Sequence, residues 1–265
     1  MLRSLYAGIT GLRNHQLRMD VIGNNIANVN TVGYKASRVT FKELFNQTLQ
    51  AASAPQGGRG GTNPIQVGLG TTLAGIDVMH VQGPAEYTGG RTDLAIQGDG
   101  FFVLSGPDGQ VYTRAGDFRL DAEGYLVNSD GYYVLGTDNN PIQIDISDTN
   151  LASFSIDKLG NVIRINRDGT TQTIAQIALA LFANPSGLLR DGGVFRESPN
   201  SGNADIDAPG SGGRGTLIPE ALEMSNVDLS REFVDMIVTQ RGFQASSRVI
   251  TASDEMLQEL VNLKR

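Results

Sequence analysis

The sequence predicts an α+β fold in which an all-β middle is flanked by one long helix at each end of the chain. Three observations carry this. From Leu2, the apolar positions Leu2, Leu5, Ile9, Leu12, Met19, Ile22, Ile26 and Val29 recur every three or four residues, the spacing of one helix face. From Leu229 the series Leu229, Phe233, Met236, Gln240, Phe243, Ser247, Ile250, Asp254, Leu257 and Val261 does the same. Between them lie short alternating apolar runs punctuated by glycine and aspartate, the pattern of strands and tight turns.

In chain order, the first helix is roughly 40 Å long at about 1.5 Å per residue. Gln16 breaks its seam, and Gly8, Gly11 and Gly23 each cost about 1 kcal/mol relative to alanine. It therefore leans on a partner, and the C-terminal helix is the obvious one. Residues 23–35, GNNIANVNTVGYK, hold four asparagines and two glycines. Asparagine tolerates left-handed backbone and bonds its own main chain, so the helix ends and the chain turns here. Residues 37–50 carry a periodicity that fits either a helix or a strand, with Val39, Phe41, Leu44, Phe45 and Leu49. Residues 51–63 are small and glycine-rich, as a linker or extended loop is.

From Ile65 the strands are expected at 94–97, 101–105, 110–114 after the Pro107-Asp108-Gly109 turn, 125–128 and 132–135 around Asp130-Gly131, 154–157, 162–166 and the long apolar run 174–182. Asp168-Gly169 marks one more hairpin. Residues 198–215 form a second glycine-, serine- and asparagine-rich stretch. The last helix has clear signals at its start: Asp228 or Ser230 as cap, and Glu232 against the positive end of the macrodipole. Lys264 and Arg265 place positive charge at its other end. Its polar steps Gln240, Ser247 and Asp254 suit several neighbours or a wet surface better than one dry dimer. The divisions that follow are a first helix at 1–35, a linker with an extended or helical segment and a glycine-rich loop at 36–75, a β-rich domain at 76–200, a return linker at 201–224 and the second helix at 225–265.

Composition narrows the function. The chain has 265 residues, a net charge of −7 and 40% hydrophobic residues, enough for a core and for one to three domains. An acidic balance does not favour nucleic acid or an anionic membrane, both of which select basic patches. No apolar stretch reaches the length of a membrane span. The opening MLRSLYAGIT lacks the continuous apolar core and small-residue site of a cleaved secretory signal. Cysteine is absent, which removes disulfides, thiolate chemistry and thiolate metal sites.

The search for chemistry returns little. His15 and His80 are the only histidines, and neither has the acidic or cysteine company of a metal site. Gly98-Asp99-Gly100 and Gly68-Leu69-Gly70 lack the strand-to-helix setting and third glycine of a dinucleotide loop and read as turns. Asp117, Asp121 and Asp130 fall at turn positions, where aspartate bonds its own backbone. No catalytic residue, cofactor site or metal site is expected. A carbohydrate-binding or hydrolytic β domain needs converging acids and aromatics, and the turn-placed aspartates and scarce aromatics argue against it.

The residues also carry a family resemblance. L-x-x-G-I-x-G-L followed by Asn24 to Lys35 (NNIANVNTVGYK), Asp93 to Phe102 (DLAIQGDGFF) with Tyr112 to Phe118 (YTRAGDF), and Ser225 to Gln244 (SNVDLSREFVDMIVTQRGFQ) resemble the bacterial flagellar rod and hook axial proteins, in the right order and over essentially the whole chain. The resemblance implies that the terminal segments pair as an antiparallel coiled coil and that copies stack into a tube around a channel, with the β domain outside. It also implies that subunits leave the cell unfolded through the flagellar type III export apparatus. Expected partners are further copies of the chain, neighbouring rod, hook or junction proteins, the export apparatus and a hook or rod cap. The expected location is the basal body or hook.

Carried onto this chain, Leu2, Leu5, Ile9, Leu12, Phe233, Met236, Gln240, Phe243, Ile250 and Leu257 are the expected assembly contacts, and Asn24, Asn25, Asn28 and Gly33 shape the turn that leaves the first helix. The apolar steps are expected to hold the coiled coil, the polar ones to face adjacent subunits or the channel. Within the family, the chain has no room for the extra outer domain of longer hook proteins. Its ending, DEMLQELVNLKR, together with VDLSREF, favours a short hook, with the distal rod protein as the alternative.

Overall fold

The structure, a computed structural model, describes residues 2–55, 60–107, 109–145 and 150–263, the side chain of Leu2 excepted. It divides into two compact units. The first comprises Met1–Ala27, Ser37–Val78 and Asp228–Arg265, the second Asn28–Ala36 and Met79–Val227.

The first unit contains helix α1 (Leu2–Ala27), strands β1 (Ser37–Glu43), β2 (Asn46–Gln50), β3 (Ile65–Gly68) and β4 (Thr71–Val78), and the long helix α2 (Leu229–Leu263). The α2 start settles on Asp228: its carboxylate accepts from the backbone N–H groups of Ser230 at 2.9 Å and Arg231 at 3.3 Å, satisfying donors the first turn leaves free. Glu232 lies in that turn. Lys264 and Arg265, expected to complement the far end, lie outside the described residues.

Residues 37–50, whose periodicity fitted a helix or a strand, are extended. β1 pairs antiparallel with β4, and β2 with β3. Pairing decides the matter, because strand propensity expresses contacts with a neighbour rather than local preference, and 65–78 supplies the neighbour. The glycine-rich run between β2 and β3 is bridged at Ser53 and Thr62; its residues 56–59 lie outside the described part.

The second unit is β-rich. β5 (Ala85–Tyr87), β6 (Leu94–Gln97), β7 (Phe101–Gly106), β8 (Gly109–Thr113), β9 (Arg119–Leu120), β10 (Leu126–Val127) and β11 (Tyr133–Val134) come first. They are followed by β12 (Leu151–Ile156), β13 (Asn161–Asn166), β14 (Thr171–Gln176), β15 (Leu179–Leu181), β16 (Leu189–Asp191), β17 (Val194–Arg196), β18 (Asp205–Asp207), β19 (Thr216–Pro219) and β20 (Ala221–Glu223). The main sheet runs β16-β17-β8-β7-β11-β10-β9, with β15 between β7 and β18; β12-β13-β14 form a separate antiparallel sheet.

Strand β7 explains the centre of this unit. Its run Phe101-Phe102-Val103-Leu104 is apolar at every position because both faces are covered. Phe102 and Leu104 join Leu94, Ile96, Phe118, Leu126, Ile177 and Leu179 in one cluster. Phe101 and Val103 point the other way, into a second cluster with Tyr112, Phe182 and Phe195. The expected turns fall at Asp130-Gly131 and Asp168-Gly169, with glycine φ of 82° and 77°; Asp108 of the third lies outside the described residues. The run 174–182, read as one strand, is two, β14 and β15. The chain breaks at Ile177 and Ala178, fully buried, whose N–H groups bond the Gly160 and Leu135 carbonyls as it passes from the small sheet to the large one.

Candidate functional site

Two features stand out, one in each unit. In the first unit, α1 and α2 run past one another in opposite directions. Ser4 meets Ser253 at 3.3 Å, and Arg18 reaches Asp235 at 2.9 Å. Asn25 donates to Glu232 at 3.2 Å. Glycine sets the close approaches. A Cβ on Gly8 would lie 3.0 Å from Ile250, one on Gly11 would lie 2.9 Å from the Ser246 hydroxyl, and one on Gly242 would lie 2.5 Å from the His15 ring. The α1 residues in this face are 4, 8, 11, 15, 18 and 25, a three-and-four spacing like the apolar seam's but on a neighbouring stripe.

The helices thus meet largely through small and polar side chains, with Ile250 packed over Gly8. Small residues let the backbones approach: the Ser253 hydroxyl meets Ser4 across the gap, and the buried Thr239 and Ser253 hydroxyls bond the carbonyls of Asp235 and Val249 on their own helix.

Of the expected assembly residues, Ile250 packs against Gly8 in this contact. Phe233 is 51% exposed and Phe243 37%, with Val234, Ile237, Val238, Leu260 and Val261 also exposed. Gln240 is exposed; Met236, Ile250 and Leu257 are half-buried, as are Leu5 and Leu12, and Ile9 is exposed. The Leu2 side chain lies outside the described part. Of the turn residues, Asn25 exchanges two hydrogen bonds with the Ser37 backbone, at 2.9 and 3.0 Å, and so fastens the end of α1 to the start of β1. Asn28 accepts from the Thr31 hydroxyl and N–H. Gly33 adopts φ 68°, and a Cβ there would lie 2.5 Å from the Ala115 nitrogen. Asn24 is partnered.

In the second unit a buried charge cluster gathers distant segments. The Glu223 carboxylate accepts from the Lys35 ammonium at 2.6 Å, the Arg114 Nε at 2.9 Å and the Gly83 N–H at 2.9 Å. Glu223 and Lys35 are 1% exposed and Arg114 is 4%. The Glu223 carbonyl accepts from the Gly33 N–H at 2.8 Å. Arg114 also donates to the carbonyls of Gly98 and Gly100. Beside this, Asn226 accepts from the Ala36 N–H at 2.8 Å and donates to the carbonyls of Met79 and Val81 at 2.9 and 3.0 Å.

Burial pulls the Lys35 ammonium below its ordinary range, partly offset by its bond to Glu223. Burial first, then the positive charges of Lys35, Arg114 and Arg190, push His80 down to about 4, so its ring is neutral at physiological pH. Each of these charges has a partner, which is the condition under which burial is tolerated. None sits as a nucleophile–base pair, and among the described residues no group of three His, Cys, Asp or Glu side chains could hold a metal ion.

Sequence reasoning missed this cluster. Lys35, Arg114 and Asn226 each stand inside one of the three motifs quoted above, but a charged residue in a motif reads as surface or function, not as core. Glu223 stands outside all three, and no sequence signal pointed to it.

Comparison with known proteins places the chain. Residues 5–35 match the family described as flagella basal body rod protein, 95–164 the flagellar hook protein FlgE/F/G D1 domain, and 218–263 the flagellar basal body rod FlgEFG protein C-terminal. The flagellar basal-body rod protein FlgG of Bacillus subtilis is 53% identical over 100% of both chains, and that of Borreliella burgdorferi 38% over 100% of both. The flagellar hook protein FlgE of Borreliella burgdorferi is 29% identical over an alignment of 441 residues that takes in 100% of both. Among the described residues no helix is long and apolar enough to cross a membrane. The chain belongs to the family of bacterial flagellar rod and hook proteins, structural components of the flagellum outside the cytoplasm.

Proposed function

We propose that the chain is a rod-type subunit whose copies stack helically into a tube. In this reading α1 and α2 pair as an antiparallel coiled coil on the inner wall, and the β-rich unit lies outside. The observation that carries it is the sidedness of the helices. The stripes that meet within one chain are largely small and polar, and Phe233, Val234, Ile237, Val238 and, on α1, Tyr6 and Ile9 remain at the surface. Exposed apolar side chains grouped on a helix face mark an interaction surface. Further copies of the same chain supply the cover, and a head-to-tail contact that does not close on itself generates a helical polymer.

The higher identity to relatives named as rod proteins supports the rod over the hook. The hook reading keeps the support of the hook relative and of the shared D1 domain, and polymer shape separates the two. Copies are exported unfolded through the flagellar apparatus, meet a rod or hook cap and abut neighbouring axial proteins. Electron microscopy of the purified, polymerised chain tests the assignment: straight, rigid tubes are expected, and curved, flexible ones mean a hook. A chain that stays monomeric wherever rod proteins polymerise contradicts both.

A further inference from the structure

The second unit contains a cavity of about 270 Å³ lined by Lys35, His80, Asp99, Phe101, Arg114 and Phe182, among others. We propose that this cavity binds a small protonated oxyanion, and that inorganic phosphate is the species that fits it at neutral pH.

Charge is the first argument. Two buried cations, Lys35 and Arg114, face one buried carboxylate, Glu223, which leaves one positive charge in a shielded place within a chain of net charge −7. Arg190 adds another nearby, its guanidinium 4.2 Å from the centre of the Tyr34 ring. Asp99 is the one carboxylate of the lining, and it is exposed, so solvent screens it.

Hydrogen-bonding capacity is the second. A lysine ammonium carries three N–H donors and a guanidinium five. Lys35 directs bonds to the Val81 carbonyl and Glu223; Arg114 directs three, to Glu223 and the carbonyls of Gly98 and Gly100. Both keep donors for a guest. His80 offers the opposite. Its ring is neutral, and a neutral imidazole carries one nitrogen that accepts. Its Nδ1 is buried with no partner among the described residues and can serve as that acceptor. A guest suited to this wall accepts from the cations and donates to the histidine. Phosphate at neutral pH does both. Sulfate has the same shape and no proton to give.

Size is the third. The cavity has room for more than one water molecule, and so for a small oxyanion.

Calorimetric titration of the full-length monomer with sodium phosphate and sodium sulfate, at matched ionic strength and pH 7, tests this. Phosphate is expected to bind at least tenfold tighter than sulfate and, alone of the two, to raise the unfolding midpoint. His80→Phe keeps an aromatic ring for the contacts with Phe101 and Phe195, now at 5.6 and 5.7 Å, but removes the acceptor; its preference is expected to fall below twofold. Lys35→Met, with its fold checked by circular dichroism, is expected to weaken both anions. Absence of saturable phosphate binding, equal affinity for the two anions, or a His80→Phe variant that keeps the preference overturns the proposal.

Discussion

The two units bury their side chains in opposite ways. In the second, Leu94, Ile96, Phe102, Leu104 and Leu179 are fully buried, and even Lys35, Arg114 and Glu223 are shielded and paired. In the first, Ile22 is the sole large apolar side chain of the described residues that is buried, while Phe45, Phe233, Val234, Ile237, Val261 and Leu263 are more than half exposed. The second unit covers its own apolar core and pairs its buried charges. The first has an apolar surface that a single chain leaves uncovered, which is the property expected of an assembly element and of helices that are marginal alone.

This contrast can be broken at several points. The largest effect is expected from Glu223→Gln, which leaves Lys35 and Arg114 buried with their shared charge partner removed; the second unit should lose about 3–5 kcal/mol in urea unfolding followed by circular dichroism. Gly33→Ala forces a side chain into left-handed backbone and against the Ala115 nitrogen, with an expected loss of about 1–3 kcal/mol.

The next effect is in pH. His80 has an ordinary value of 6.5 and is pushed down to about 4 in the fold. Between those values the unfolded chain binds more protons than the folded one, so stability falls as pH drops through that window. The loss is on the order of 1–2 kcal/mol once solvent screening is allowed for, and unfolding midpoints of the His80→Phe variant should lack that slope. The smallest effect on the monomer is expected from Phe233→Ser with Ile237→Ser. Exposed positions change stability by about 0.5 kcal/mol or less, yet this variant should fail to form tubes in electron micrographs. A variant that loses monomer stability and still polymerises would place these side chains inside the chain's own core.

Much of the fold was legible in the sequence, because periodicity and caps are local. Both helices, the Asp228 cap and the Asp130-Gly131 and Asp168-Gly169 turns needed only neighbouring residues. Where pairing across the chain decides, legibility ended: residues 37–50 became strands because 65–78 lies beside them. The same limit governs the helix faces. Hydrophobic spacing located the apolar seam of α2, but the stripe that meets α1 is drawn by Gly8, Gly11 and Gly242, whose value is the space they leave. The charge cluster was least legible, since Lys35, Arg114 and Glu223 are far apart in sequence and each reads as an ordinary surface charge until the fold brings them together.

Hydrogen exchange of monomer and polymer, read segment by segment, tests the central claim most directly. In the monomer β6, β7 and β8 are expected to exchange slowly while α1 and α2 exchange fast, and polymerisation is expected to slow the helices by orders of magnitude with little change in the strands. Helices as strongly protected in the monomer as in the polymer would contradict it.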